Sequence, residues 1–213
     1  MLGIPALEWD SNVVKPMPSD RNTPLGFYGG WNNKDSKESE SGFNSSSKQF
    51  GPFDRSHVVY EYLSEADDFT FEELRNLALN IATTDSFGYG GNPWQFVSSH
   101  FIEAVENAGE NEERQAALDI LANWDGHFVD GGEAEWVAGA DIADAWMLMN
   151  AWIDKVIQGT FEDELSDRME SESSLILFNV LIHGLDGENA SIVNQYDWFR
   201  NIEEPSFPQT ADD

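Results

Sequence analysis

The chain has 213 residues, 40% of them hydrophobic and 13% aromatic, which is enough apolar material for a real core and too much for a disordered chain. Forty acidic residues face eleven basic ones, a net charge of −29, and such a field repels both nucleic-acid phosphates and anionic membranes. There is no cysteine, so disulfides, thiolate catalysis and zinc thiolate sites are excluded together.

Residues 1–54 read as an irregular N-terminal part. Pro5, Pro16, Pro18 and Pro24 interrupt any helix, while Val13-Val14 and Leu25-Gly26-Phe27-Tyr28 suit short strands. Gly29-Gly30 allows a bend before Trp31-Asn32-Asn33-Lys34. Residues 34–48 form a polar loop with six serines and no aliphatic residue.

From residue 55 to about 200 the pattern is helical. Asp54 suits the cap of a helix reaching about Leu63. Thr70-Phe71-Glu72-Glu73 has the form of a capping box. The helix it opens is expected to carry Phe71, Leu74, Leu77, Leu79 and Ile81 toward a core and to break at Gly88–Gly91. Asn92-Pro93 starts a helix whose apolar face is Trp94, Phe96, Val97, Phe101, Ile102 and Val105. The next helix spans about Glu112–Trp124, with Gly126 at the left-handed capping position. Residues 127–138 read as a loop. A long amphipathic helix follows over about Ile142–Gln158, then a separate short one over Phe161–Leu165, then another over 174–184. The tail from Tyr196, with Pro205 and Pro208, reads as irregular, and residues 201–213 close the chain. No apolar run approaches the roughly 18 residues of a membrane span.

The excess acid is uneven. Residues 1–55 hold seven acids and six bases, a net of −1, which leaves −28 for residues 56–213. One reading is a high-salt habitat, where a hydrated acidic surface keeps the protein soluble. The other is a set of calcium sites, but no D-x-[DN]-x-[DN]-G pattern occurs.

Among residues that could carry chemistry, Asn32 stands behind a Gly-Gly bend and beside a large Trp. A fixed side-chain amide there is a plausible donor to an oxyanion, and Asn-Asn after Gly-Gly is also ordinary turn chemistry. Arg55 follows Asn32 by twenty-three residues, in Gly51-Pro52-Phe53-Asp54-Arg55, and a helix-start ion pair with Asp54 is the plain alternative for it. His57, His100, His127 and His183 lack H-x-x-x-H spacing and read as ordinary structural or surface histidines. Phe161-Glu162-Asp163-Glu164-Leu165 reads as a solvated helix end, and Gly88-Tyr89-Gly90-Gly91 lacks the Lys or Ser/Thr of a phosphate loop. The cluster Trp146, Met147, Met149 and Trp152 suits a core or an interface.

Several landmarks in order resemble the penicillin-acylase family of N-terminal nucleophile hydrolases. They are Gly26-Phe27 through Trp31-Asn32-Asn33-Lys34, Phe50-Gly51-Pro52-Phe53-Asp54-Arg55, Phe69-Thr70-Phe71-Glu72-Glu73-Leu74, Leu118 through Trp124-Asp125-Gly126, and Tyr196-Asp197-Trp198-Phe199 with Ala211-Asp212-Asp213. The resemblance implies a mainly α segment, with a short β-containing N-terminal part, of an enzyme whose core is a four-layer αββα sandwich. It implies an internal fragment of the β-chain, of an enzyme that cleaves an acyl-amide bond such as a β-lactam side chain or an N-acyl-homoserine lactone. Asn32 would be the oxyanion-hole side chain, and Arg55 the arginine that organises the nucleophile. The family nucleophile is a β-chain N-terminal Ser acting through its own amine, whereas this chain opens Met1-Leu2-Gly3, so the fragment is expected to be inactive alone.

No cofactor is expected. The family's calcium is held partly by an acid between the two site residues, where this chain reads Phe43-Asn44-Ser45, so at most a weak ligand is expected from this segment. The expected partners are the remaining segments of the parent acylase and a small acyl-amide substrate, with no nucleic acid and no membrane. The resemblance implies export of the parent to the periplasm or outside the cell. The rival expectation is a stand-alone acidic helical interaction module without catalysis.

Self-repulsion among the 33 acids of residues 56–213 yields a first test. On the high-salt reading the melting temperature rises between low and molar salt, and a flat calorimetric profile would contradict it.

Overall fold

The computed structural model describes residues 21–29, 53, 55–64, 68–84, 92–109, 111–131, 140–190 and 193–203. Within them the protein is mostly helical and contains no strand. Six helices follow in order: α1 (Arg55–Ser64), α2 (Phe71–Thr83), α3 (Trp94–Asn107), α4 (Glu112–Ala122), α5 (Asp144–Leu165) and α6 (Ser174–Asp186). Among the described residues no helix is long and apolar enough to cross a membrane.

The core is organised on α5. Met149, Ile153, Ile157 and Phe161 recur every four residues, which stacks them on one face, and all four are buried. This stripe packs on α6, where Leu175, Leu177, Phe178, Leu181 and Ile182 are buried almost all round. Helix α4 adds Leu118 and Leu121 from one side, and α3 adds Trp94 and Val97.

The break expected after Gln158 does not occur, and α5 runs without interruption through Gly159 to Leu165. A glycine inside a helix costs about 1 kcal/mol relative to alanine. Burying Ile157 and Phe161 on either side of it is worth roughly 1.5–3 kcal/mol each, so packing outweighs propensity.

The Thr70 capping box forms as expected. Thr70 Oγ1 accepts from the Glu73 amide at 3.2 Å, and Glu73 Oε2 accepts from the Thr70 amide at 2.7 Å. The Thr70 hydroxyl also donates to Glu73 Oε2 at 2.6 Å, and that bond first, with the one from the Thr70 amide, holds the exposed Glu73 carboxyl below its usual range. The face of α2 departs from expectation. Phe71 is 86% exposed, Leu74 50% and Leu79 39%, because α2 packs on α1 and no described element lies over the opposite side. The helix also stops at Thr83, well before Gly88.

That stop has a tertiary cause. Thr83 Oγ1 lies 2.7 Å from His127 Nδ1, both buried, and Thr83 O accepts from the Phe128 amide at 3.0 Å. Tyr62 and Thr84 hydroxyls meet at 2.9 Å, which ties the same end to α1. The loop that receives α2 is the end of α4. Trp124 Nε1 donates to His127 O at 2.8 Å, and Asp125 Oδ1 accepts from the His127 amide at 3.0 Å. Between them Gly126 sits at φ 86°, and a β-carbon built there would lie 2.7 Å from Asn92 Nδ2. Asn92 in turn accepts from the Trp94 amide at 3.0 Å at the start of α3. The Trp-Asp-Gly run is thus a three-way junction of α2, α3 and α4. Beyond it, Val129 and Ile142 form an isolated antiparallel bridge.

The segment expected as a strand at Leu25–Tyr28 is a turn instead, closed by the Gly26 amide on Thr23 O at 3.0 Å with Gly26 at φ 79°. Pro24 presets the turn and Gly26 accepts the left-handed backbone, so the local chemistry overrides the apolar pattern. The other expected strand, at Val13-Val14, lies outside the described residues.

Gly126→Ala is expected to lose about 1–3 kcal/mol of unfolding free energy, from a left-handed backbone and a clash with Asn92 combined. Equilibrium urea unfolding measures it, and an unchanged midpoint would show that the junction yields freely.

Candidate functional site

The candidate site of the sequence is built on Asn32 and Arg55, and the structure describes the two unequally. Asn32 lies outside the described residues, as does the calcium counterpart Asn44. Arg55 is the first residue of α1, while its side chain lies outside them. What the structure describes is the scaffold on both sides of the pair.

On the Arg55 side the anchor is Phe53, two residues earlier and fully buried. Its ring packs edge-on against Phe96 at 5.9 Å and Phe178 at 5.2 Å. Its backbone is held by one side chain. Asn179 Oδ1 accepts from the Phe53 amide at 2.9 Å, and Asn179 Nδ2 donates to Phe53 O at 2.9 Å. Nδ2 also reaches Leu175 O at 3.0 Å, within α6. A carboxamide presents one acceptor and two donors in a plane, so it closes on a peptide group as a neighbouring strand would. A buried peptide left without partners would cost about 1–3 kcal/mol per group, so this pairing is what permits an irregular segment to enter the core.

On the Asn32 side the anchor is Gly29, three residues earlier. Its carbonyl accepts from the Tyr60 hydroxyl at 2.7 Å, and the Phe27 ring lies 5.7 Å from that of Tyr60. A β-carbon at Gly29 would fall 3.6 Å from both Tyr60 and Val59, which is ordinary contact, so the close approach here is set by the hydroxyl bond. Tyr60 lies five residues after Arg55 on the same helix, a rise of about 7.5 Å. The segment that leads to Asn32 and the segment that leads to Arg55 therefore meet on one helix, α1.

The histidines hold structural places. His127 bonds to Thr83. His57 lies 3.7 Å from Glu61 and 5.2 Å from the Phe96 ring centroid. His183 is buried in α6, and that burial pushes its pKa below the ordinary imidazole value against the pull of Asp186. Among the described residues no three or more His, Asp or Glu gather as a metal ion requires.

Sequence reasoning passed over Asn179. Its signal was present as the lone amide in the run Leu175-Ile176-Leu177-Phe178-Asn179-Val180-Leu181, where an unpaired polar group would be costly. It also placed Glu162–Glu164 on a solvated helix end, whereas Asp163 Oδ1 and Glu164 Oε2 are shut away from solvent.

No curated protein matches the chain, and no solved structure does. The sequence model of one family, penicillin amidase, matches residues 4–212 and so takes in Asn32, Arg55 and every anchor around them. With nearly the whole length matched, the chain belongs to the penicillin amidase family.

Proposed function

We propose that this chain forms part of an acylase that hydrolyses the amide bond between an acyl chain and an amine, and that Asn32 supplies a side-chain donor to its oxyanion hole. Amide hydrolysis passes through a tetrahedral intermediate with a negative oxygen. A carboxamide N–H fixed in advance stabilises that charge more than it stabilises the ground-state carbonyl, which is what lowers the barrier. In this reading the nucleophile comes from another part of the enzyme, and Arg55 orders the hydrogen bonds around it. A β-lactam side chain or an N-acyl-homoserine lactone is the substrate class, and the enzyme works outside the cytoplasm.

The family match across residues 4–212 carries this reading. The scaffold supports it in a specific way. Preorganisation requires that the donor not reorient as charge develops, and both flanks of the site pair are tied to helices, Gly29 to Tyr60 on α1 and Phe53 to Asn179 on α6. Buried groups on rigid helices meet that need better than exposed loops do. The acidic surface does not contradict it, since the residues up to Arg55 carry a net charge of only −1.

Two variants test the reading in the assembled enzyme, with phenylacetyl amides as substrates. Asn32→Ala is expected to lower kcat by roughly 10²–10³ with little change in KM, because the donor acts on the transition state. A kcat within a few-fold of the parent would remove Asn32 from the oxyanion hole. Asn179→Leu, which strands both backbone groups of Phe53, is expected to lower stability by about 2–5 kcal/mol. Chemical denaturation reads that loss, and a loss under 1 kcal/mol would show that the Phe53 anchor does not depend on the carboxamide.

A further inference from the structure

Residues 193–203 form a strap that folds back over the ends of α5 and α6. Asn194 Nδ2 donates to Val180 O at 3.1 Å, and Phe199 packs within 3.2 Å of where a β-carbon on Gly184 would stand. The far half of the strap is held by two adjacent carboxyls at the end of α5. Asp163 Oδ2 accepts from the Ile202 amide at 2.9 Å. Glu164 Oε1 accepts from the Tyr196 hydroxyl at 3.3 Å, and that hydroxyl receives Arg200 Nη2 at 2.6 Å. Trp198 lies between the rings of Phe161, at 5.2 Å, and Tyr196, at 4.6 Å.

The remaining oxygens of the pair are the telling ones. Asp163 Oδ1 and Glu164 Oε2 are both closed to solvent, and neither receives a hydrogen bond from a described donor. Two ionised carboxylates in that position would repel each other and leave two buried acceptors unsatisfied. One proton between them removes both penalties. We propose that Asp163 and Glu164 share a proton and so act as a latch, which holds the strap on α5 in acidic solution and loosens it as the solution passes through neutrality into the alkaline range.

The direction of titration agrees with the geometry. Burial, then the hydrogen bond and charge of Asp163, push Glu164 up to about 7, against the pull of the Tyr196 hydroxyl. Burial also works to raise Asp163, but the bonds from Glu164 and from the Ile202 amide outweigh it and leave that carboxyl below its usual range. The proton therefore resides on Glu164. Other titratable groups stand on the neighbouring elements: Asp167 and Arg168 on the 3-10 turn after α5, His183 and Asp186 on α6, and Asp197 and Arg200 on the strap. Of these, Arg200 feels the charge of Glu164 and reaches it through Tyr196. When the strap is docked, the pair binds its proton more tightly than a free glutamate of pKa 4.5. The Glu164 contribution to docking is thus full below 4.5, weakens as the pH climbs toward 7 and is lost above it, whereas the contribution of the depressed Asp163 is lost only in acid, below the usual range of an aspartate.

The test is the exchange protection of the Ile202 amide in the full chain, corrected for the intrinsic pH dependence of exchange. Between pH 6 and pH 8.5 the parent is expected to lose about tenfold in protection, and Glu164→Gln, whose amide donates to Asp163 at any pH, is expected to lose none. Equal protection of the parent at both values, or the same tenfold loss in the variant, would overturn the latch. A second readout needs no variant. The carboxyl carbon of Glu164 should titrate in the parent with a midpoint near 7, and a midpoint in the ordinary carboxylate range would overturn the shared proton.

Discussion

A single carboxamide, that of Asn179, determines how the chain at Phe53 enters the helical body. By closing both hydrogen bonds of Phe53 it lets a non-helical peptide sit inside a core otherwise made of side chains. Helix α1 can then begin two residues later, at Arg55. Without such a partner the two backbone groups of Phe53 would need water, and the ring between Phe96 and Phe178 could not remain fully buried.

From that point the structure propagates through α1 in two directions. Tyr60 fixes Gly29, which precedes Asn32 by three residues in the sequence. Tyr62 meets Thr84 and connects α1 to the end of α2, which Thr83 joins to His127 and the Trp124-Asp125-Gly126 junction. Each bond in this series is worth only about 1 kcal/mol. Their effect is geometric rather than energetic. They convert a set of short helices, none long enough to be stable in isolation, into a frame with fixed ends. The energy comes from elsewhere, chiefly from the apolar seam between α5 and α6.

The charge distribution follows the same division. The part that leads into the candidate site is nearly neutral, and the helical body carries almost all of the excess acid. At the end of α5 two of those acids turn inward to receive the strap. A carboxyl that is solvated elsewhere on the surface becomes, under Trp198 and Tyr196, a group whose protonation matters near neutral pH.

Much of this was written locally in the sequence. The Thr70–Glu73 box, the left-handed Gly126, the extent of α6 and the family itself are all legible, because capping, positive φ and ordered motifs depend on residues close together in the chain. Tertiary structure alone decided the rest. It carried α5 across Gly159, left Phe71 and Leu74 on an open face, ended α2 at Thr83, and turned Asn179 and Asp163 to tasks their neighbours do not announce. Periodicity specifies that a helix has an apolar face, but which helix covers that face, and which polar group meets a stranded backbone, depends on residues up to 126 positions away.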